Sequence, residues 1–188
     1  MKHSIGKFLS PILLKGFTRN DIAVLAGKMG CEYSAEIGVK AGKYSEHICK
    51  SCANIEHICV DPWVEYSSFD GVPRPQKHVN IFRRTCESRL RKYNVRYIVK
   101  MSADAVKEVP LDYLDFVYID ANHHYKHVKH DVENWSLRVK PGGIVAGHDY
   151  VVRGFHDVRD YISEYTQQYG VEVYITDEAI PSWFFVRR

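Results

Sequence analysis

The chain has 188 residues, of which 45% are hydrophobic, enough to bury a full core as a single domain. Its 26 basic and 23 acidic side chains leave a net charge of +3, too small to indicate a nucleic-acid partner. The densest basic cluster, Arg83, Arg84, Arg89, Arg91 and Lys92, reads as the solvated face of a helix.

From Met1 to Phe17 there is a short apolar patch, but no apolar run of signal-peptide length and no small-residue cleavage site. Nowhere does a segment approach the roughly twenty apolar residues of a membrane span. A cytoplasmic protein without a membrane partner is therefore expected. The five cysteines, Cys31, Cys49, Cys52, Cys59 and Cys86, form an odd set in a chain too large to depend on disulfides, so they are expected to be reduced. Cys49 and Cys52 make a CxxC, but without a second such pair it is weak evidence for zinc.

Residues 1–31 read as an N-terminal helical extension, and 32–188 as one α/β domain. In the extension Thr18 and Asp21 form a capping pair, Ile22, Leu25, Ala26 and Met29 share a helical face, and Gly30 is a stop. From Tyr33 strands and helices alternate. The strands are AEIGV, IEHICVD, VRYIVKM, LDFVYID and GIVAGHDY. The intervening helices carry apolar stripes, such as Val79, Phe82, Cys86, Leu90 and Tyr93, and later Tyr125, Val128, Val132, Trp135 and Val139. Pro141, Gly142 and Gly143 are expected to end the second of these helices. A further helix turns Phe155, Val158, Ile162, Tyr165 and Tyr169 to the core. VEVYIT and WFFVRR follow, joined by a connection too short for a parallel crossover, so they form an antiparallel hairpin. The whole is a Rossmann-like, doubly wound, mostly parallel seven-stranded sheet with an antiparallel C-terminal hairpin.

In such a sheet ligands bind beyond the carboxyl ends of the strands, where strand order reverses. Polar residues recur there: Glu36, Gly38 and Gly42, then Asp61, Ser102, Asp120, and His148 with Asp149. The first turn lacks the GxGxxG that cradles a pyrophosphate, which disfavours a dinucleotide-dependent oxidoreductase. It has GxxxG, with Glu36 two residues upstream, where an acid repels phosphate and suits a cationic ligand. Asp61 suits a ribose diol as a two-point acceptor. A ribose, a positive charge and no phosphate together describe S-adenosylmethionine.

EIGVKAG, VDPW, IDANHHY and GGIVAGHDY resemble the class I S-adenosylmethionine-dependent methyltransferases, and most closely a small-molecule O-methyltransferase group with IDxxHxY and GGxxxxHDY segments. The resemblance implies that Glu36, Gly38 and Gly42 surround the methionine portion of the cofactor. It also implies that Asp61 holds the ribose with Trp63 nearby, and that Met101 and Ser102 line the adenine. Ordinary packing for Trp63 and helix capping for Ser102 remain open alternatives. Acids at the positions of Asp120 and Asp149, with His148, would hold a divalent metal that binds substrate hydroxyls. His148 tilts the choice from magnesium toward manganese, iron or zinc, unless His148 and Asp149 only bond loop backbone. His123 is the candidate general base, the alternative being a histidine that caps or packs at the helix start. His124, His127 and His130 are expected at the solvent-facing start of that helix.

These readings give an O-methyltransferase for a hydroxylated small molecule, a sugar or natural product, or else a noncatalytic S-adenosylmethionine-binding protein. Segment 65–78 reads as a mobile loop beside the site, and the tyrosine-rich composition would suit a homodimer contact.

Overall fold

A computed structural model describes residues 11–67, 72–152 and 156–188. The elements run β1 (Ile12–Leu14), α1 (Arg19–Lys28), β2 (Tyr33–Ile37), α2 (Lys43–Ser51), β3 (Glu56–Val60), β4 (Tyr66–Ser67), β5 (Pro73–Arg74) and α3 (Gln76–Leu90). They continue with β6 (Val95–Ile98), α4 (Ser102–Ala105) and a 3-10 turn (Val106–Glu108), β7 (Leu114–Ile119), α5 (Tyr125–Ser136), β8 (Val139–Gly147), α6 (Asp157–Tyr169), β9 (Tyr174–Thr176) and β10 (Trp183–Val186).

The main sheet has the order β1-β9-β10-β8-β7-β2-β3-β6. Every pairing in it is parallel except those of β10, which lies antiparallel to both β8 and β9. The central strands are apolar on both faces, as a parallel sheet covered by helices requires: Ala35, Ile37, Ile58, Val60, Phe116, Val117 and Ile144 are all buried. One face packs with α5 and α6 through Ile37, Val117, Val132, Trp135, Ile162 and Phe185. The other packs with α1 and α2 through Ile22, Ala26, Tyr44, Ile48, Phe116 and Tyr118. Among the described residues no helix is long and apolar enough to cross a membrane.

The seven expected strands are present, and β1 adds an eighth at the edge, parallel to β9 through Ile12↔Tyr174, Leu13↔Ile175 and Leu14↔Thr176. The N-terminal segment thus contributes a strand as well as a helix. The Thr18–Asp21 cap forms as expected, with Thr18 N and Oγ1 donating to Asp21 Oδ2 at 2.8 and 2.7 Å. The buried face of α1 is Ile22, Ala23 and Ala26, while Met29, beyond the last turn, is exposed.

Val139 opens β8 rather than closing α5, and Pro141–Gly143 lie within the strand. There the β7–β8 register jumps from Leu114↔Val139 to Phe116↔Ile144, so the extra residues loop out. Gly143 is required at this bulge because a Cβ would lie 2.7 Å from the Asp115 carbonyl oxygen. Tyr169, at the end of α6, is exposed and packs on Tyr165 instead of entering the core, with ring centroids 4.5 Å apart. Segment 65–78 contains the small β4–β5 pair and the start of α3. Residues 68–71 of that segment, and Phe155, lie outside the described residues.

All five cysteines are free and buried.

Candidate functional site

Strand order reverses between β2 and β7, so the crevice opens where these two strands end. The approach is close. Asp120 N donates to Ile37 O at 2.8 Å, and a Cβ on Gly38 would lie 2.0 Å from Asp120 O. Gly38 also has φ +92, so both space and backbone demand glycine. Gly42, with φ +70, precedes α2, where a Cβ would meet Cys86 Sγ at 2.8 Å.

Asp61 ends β3 and ties this turn together. Its Oδ2 accepts from Lys40 N and its Oδ1 from Trp63 N, each at 2.8 Å. Carboxylate oxygens accept more than one bond each, so capacity for a diol remains. The Trp63 indole N–H donates to Lys40 O at 2.9 Å, and its ring is buried. The peptide flanks of Lys40 are therefore held by Asp61 on one side and Trp63 on the other. The buried Trp63 ring helps to shape the turn. Lys40 and Trp63 both have positive φ, a cost of about 1–3 kcal/mol each that surrounding structure must offset.

Glu36 is the penultimate residue of β2. It is 2% exposed and accepts a hydrogen bond from Ser45 Oγ, and burial pushes its carboxyl well above the ordinary range. Met101 is exposed at the start of α4. Ser102 is engaged in the core: its hydroxyl donates to Asp131 Oδ1 at 2.5 Å and accepts from Trp135 Nε1 at 2.8 Å.

At the ends of β7 and β8 the polar residues converge. His123 Nε2 lies 3.0 Å from Asp149 Oδ2 and 3.5 Å from Asp120 Oδ1. His148 Nδ1 reaches the same Asp149 Oδ2 at 3.1 Å. Asp149 has φ +56, a left-handed conformation that aims its carboxylate between the two rings. Burial works against charge on His123, but hydrogen bonds to Asp120 and Asp149 outweigh it and raise its pKa to about 10. His148 is raised as well, against burial, chiefly by its bond to Asp149. Asp149 is partly buried, which works against its charge, yet the two histidines hold it below the ordinary carboxylate range.

One donor atom each from Asp120, His123 and Asp149 lie within 4.8 Å of one another, a grouping able to hold a cation. Of the three expected metal ligands, Asp120 and Asp149 are in this group, while His148 stands behind Asp149 and His123 takes the third place. Two carboxylates and an imidazole form a mixed oxygen and nitrogen set that suits manganese, iron or zinc better than magnesium.

Sequence reasoning missed Arg19, at the start of α1, whose guanidinium lies over the Tyr44 ring at 5.2 Å from its centroid. It missed Glu178 too, whose carboxylate accepts from Arg19 N at 2.7 Å. Arg19 opens a helix ahead of the alternating strands, and Glu178 lies in the short connection after β9, within the hairpin and not at a crossover to a helix.

Residues 35–150 match a family described as a methyltransferase domain, Methyltransf_24. The chain belongs to that methyltransferase family, and its sheet has the class I, Rossmann-like form. Similar in structure is the O-methyltransferase TomG from Streptomyces achromogenes, involved in tomaymycin synthesis and solved in complex with SAM. It has 15% identity and a TM-score of 0.66, over 90% of this chain and 79% of that one. An O-methyltransferase from Bacillus cereus, in complex with SAH, has 13% identity and a TM-score of 0.63, over 89% and 80% of the two chains. A precorrin-6y C5,15-methyltransferase from Geobacter metallireducens GS-15 has 12% identity and a TM-score of 0.64, over 95% of each chain. Among curated protein sequences none matches the chain.

Proposed function

We propose that the chain transfers a methyl group from S-adenosylmethionine to a hydroxyl of a small molecule, a sugar or natural product, with help from a divalent cation. The observation that carries this reading is His123 held between Asp120 and Asp149 at the strand ends adjoining the Gly38 turn. The turn supports a cofactor beside Asp61, and the polar cluster supports an acceptor on the β7–β8 side. The two O-methyltransferases among the structural neighbours agree with an oxygen acceptor, whereas the precorrin enzyme shows that the fold alone does not choose one.

Asp120, His123 and Asp149 would hold the cation, which when bound lowers the pKa of a substrate hydroxyl. The residues themselves set the proton inventory. With a pKa of about 10, His123 is protonated near neutral pH and cannot accept a proton in that state. Positive charge brought into the site favours loss of this proton by Coulomb repulsion, and leaves the imidazole able to ligate or to act as a base. Asp149, fixed between His123 and His148, keeps both rings oriented. The buried side chains around the turn contribute mainly by alignment and exclusion of water.

Calorimetric titration with S-adenosylmethionine tests the cofactor half of this reading. Binding without any affinity for NAD is expected, and Asp61→Ala should weaken it about tenfold or more. Binding of NAD in place of S-adenosylmethionine would overturn the reading.

A further inference from the structure

The β7–β8 end of the crevice is acidic through Asp120 and Asp149, and Glu178, in the connection after β9, lies against the start of α1. Arg19, at the start of α1, brings a cation to the first turn of α2, its guanidinium lying over the Tyr44 ring. Its backbone is fixed on both sides: Arg19 N donates to Glu178 Oε2, and Arg19 O accepts from the Tyr44 hydroxyl, both at 2.7 Å. Glu178 is itself held by Thr176 Oγ1 at 2.8 Å, and Tyr44 packs on Tyr118 with centroids 4.1 Å apart. The half-buried guanidinium is thus positioned by an aromatic face rather than by a carboxylate. Among the described residues Arg19 makes no ion pair at 4.0 Å or less.

Its electrical surroundings agree with this placement. Burial disfavours its charge, yet the Tyr118 hydroxyl and the Asp120 carboxylate outweigh that and raise its pKa. Arg19 in turn acts against the charge on His148 and stabilises the charged form of Glu36. The Tyr44 ring beneath the guanidinium belongs to the first turn of α2, two residues past Gly42, and packs on Tyr118, two residues before Asp120, so Arg19 stands beside both the turn and the end of β7. An arginine held by stacking, with its planar fork free of protein carboxylates, matches a carboxylate ligand two-pronged.

We propose that Arg19 is the carboxylate-binding residue of this site, taking an acid group either from the methyl acceptor or from the methionine end of the cofactor. This rests on the methyl-transfer reading and adds to it a charge requirement on one of the two ligands.

The test compares wild type with Arg19→Gln and Arg19→Lys by calorimetry, after thermal melting has shown which variants are folded. One arm titrates S-adenosylhomocysteine against its decarboxylated analogue. The other, with S-adenosylhomocysteine saturating, titrates 3,4-dihydroxybenzoate and galacturonate against their primary amides. Wild type is expected to favour the carboxylated member by about tenfold or more in one arm, and that arm identifies the source of the acid. Arg19→Gln should abolish the preference. Arg19→Lys, which keeps the charge and loses the fork, should reduce it and stands in if the Gln variant does not fold. Absence of a wild-type preference in both arms, or a preference that survives substitution, overturns the role of Arg19 alone. Failure of wild type to bind S-adenosylhomocysteine at all overturns the methyl-transfer reading and this inference with it.

Discussion

At the scale of single residues, the site turns on one carboxylate oxygen shared by two imidazoles. Asp149 Oδ2 lies 3.0 Å from His123 Nε2 and 3.1 Å from His148 Nδ1. Asp149→Asn removes the charge that, with Asp120, holds His123 at about 10, so the His123 pKa should fall by at least about one unit. An NMR titration of the ring protons reads this directly, and an unchanged value would mean that Asp149 is not its partner. The same shift has a consequence for stability. The folded pKa of His123 lies above the value of about 6.5 expected for the unfolded chain. Its contribution is therefore fully present below about pH 6.5 and is lost as pH rises through about 10. Asp149 runs the other way, its contribution being present above its unfolded pKa of about 3.9 and lost as pH falls through the depressed folded value. Melting temperatures should consequently fall on the alkaline side in wild type and much less in His123→Gln.

Asp120, His123 and Asp149 were legible in the sequence because each ends or follows a strand at a fixed offset. That His123, not His148, completes the cluster was not legible, since it depends on the positive φ of Asp149 and on how far the β7 and β8 ends approach.

At the scale of elements, the crevice exists because β2 and β7 end almost in contact. Gly38→Ala would place a methyl group 2.0 Å from Asp120 O at an unfavourable φ, and should destabilise the fold by more than about 3 kcal/mol or prevent folding. Denaturant titration checks this, and a loss below about 1 kcal/mol would show that the strand ends can separate. Trp63→Phe keeps an aromatic ring but removes the bond to Lys40 O, at a cost of about 1–3 kcal/mol, and should weaken cofactor binding through the turn. Stability lost with unchanged cofactor affinity would confine Trp63 to packing. Alternation of apolar runs revealed the parallel strands and their helices. β1 escaped notice because three apolar residues at an exposed edge carry no period, and only pairing with β9 defines them as a strand. Pro141–Gly143 read as a break because a bulge inside a strand carries the same residues as a turn.

At the scale of the whole molecule, strand order fixes where chemistry can occur, and family membership gives that chemistry its type. The fold positions two groups of candidate site residues, the Asp61 turn on the β3 side of the reversal and the Asp120–His123–Asp149 cluster on the other. The sequence carried both groups through residues at strand ends. It did not carry Arg19, proposed above to bind a carboxylate, which opens a helix outside the alternating pattern. The direct test of the central claim is mass-spectrometric detection of S-adenosylhomocysteine and O-methylated product over a panel of hydroxylated small molecules, with and without a chelator. Wild type should yield both products, with turnover suppressed by chelator and reduced about a hundredfold or more in His123→Ala, while cofactor binding in that variant is preserved. S-adenosylmethionine bound without turnover on any hydroxyl, or turnover indifferent to both chelator and His123→Ala, would contradict it.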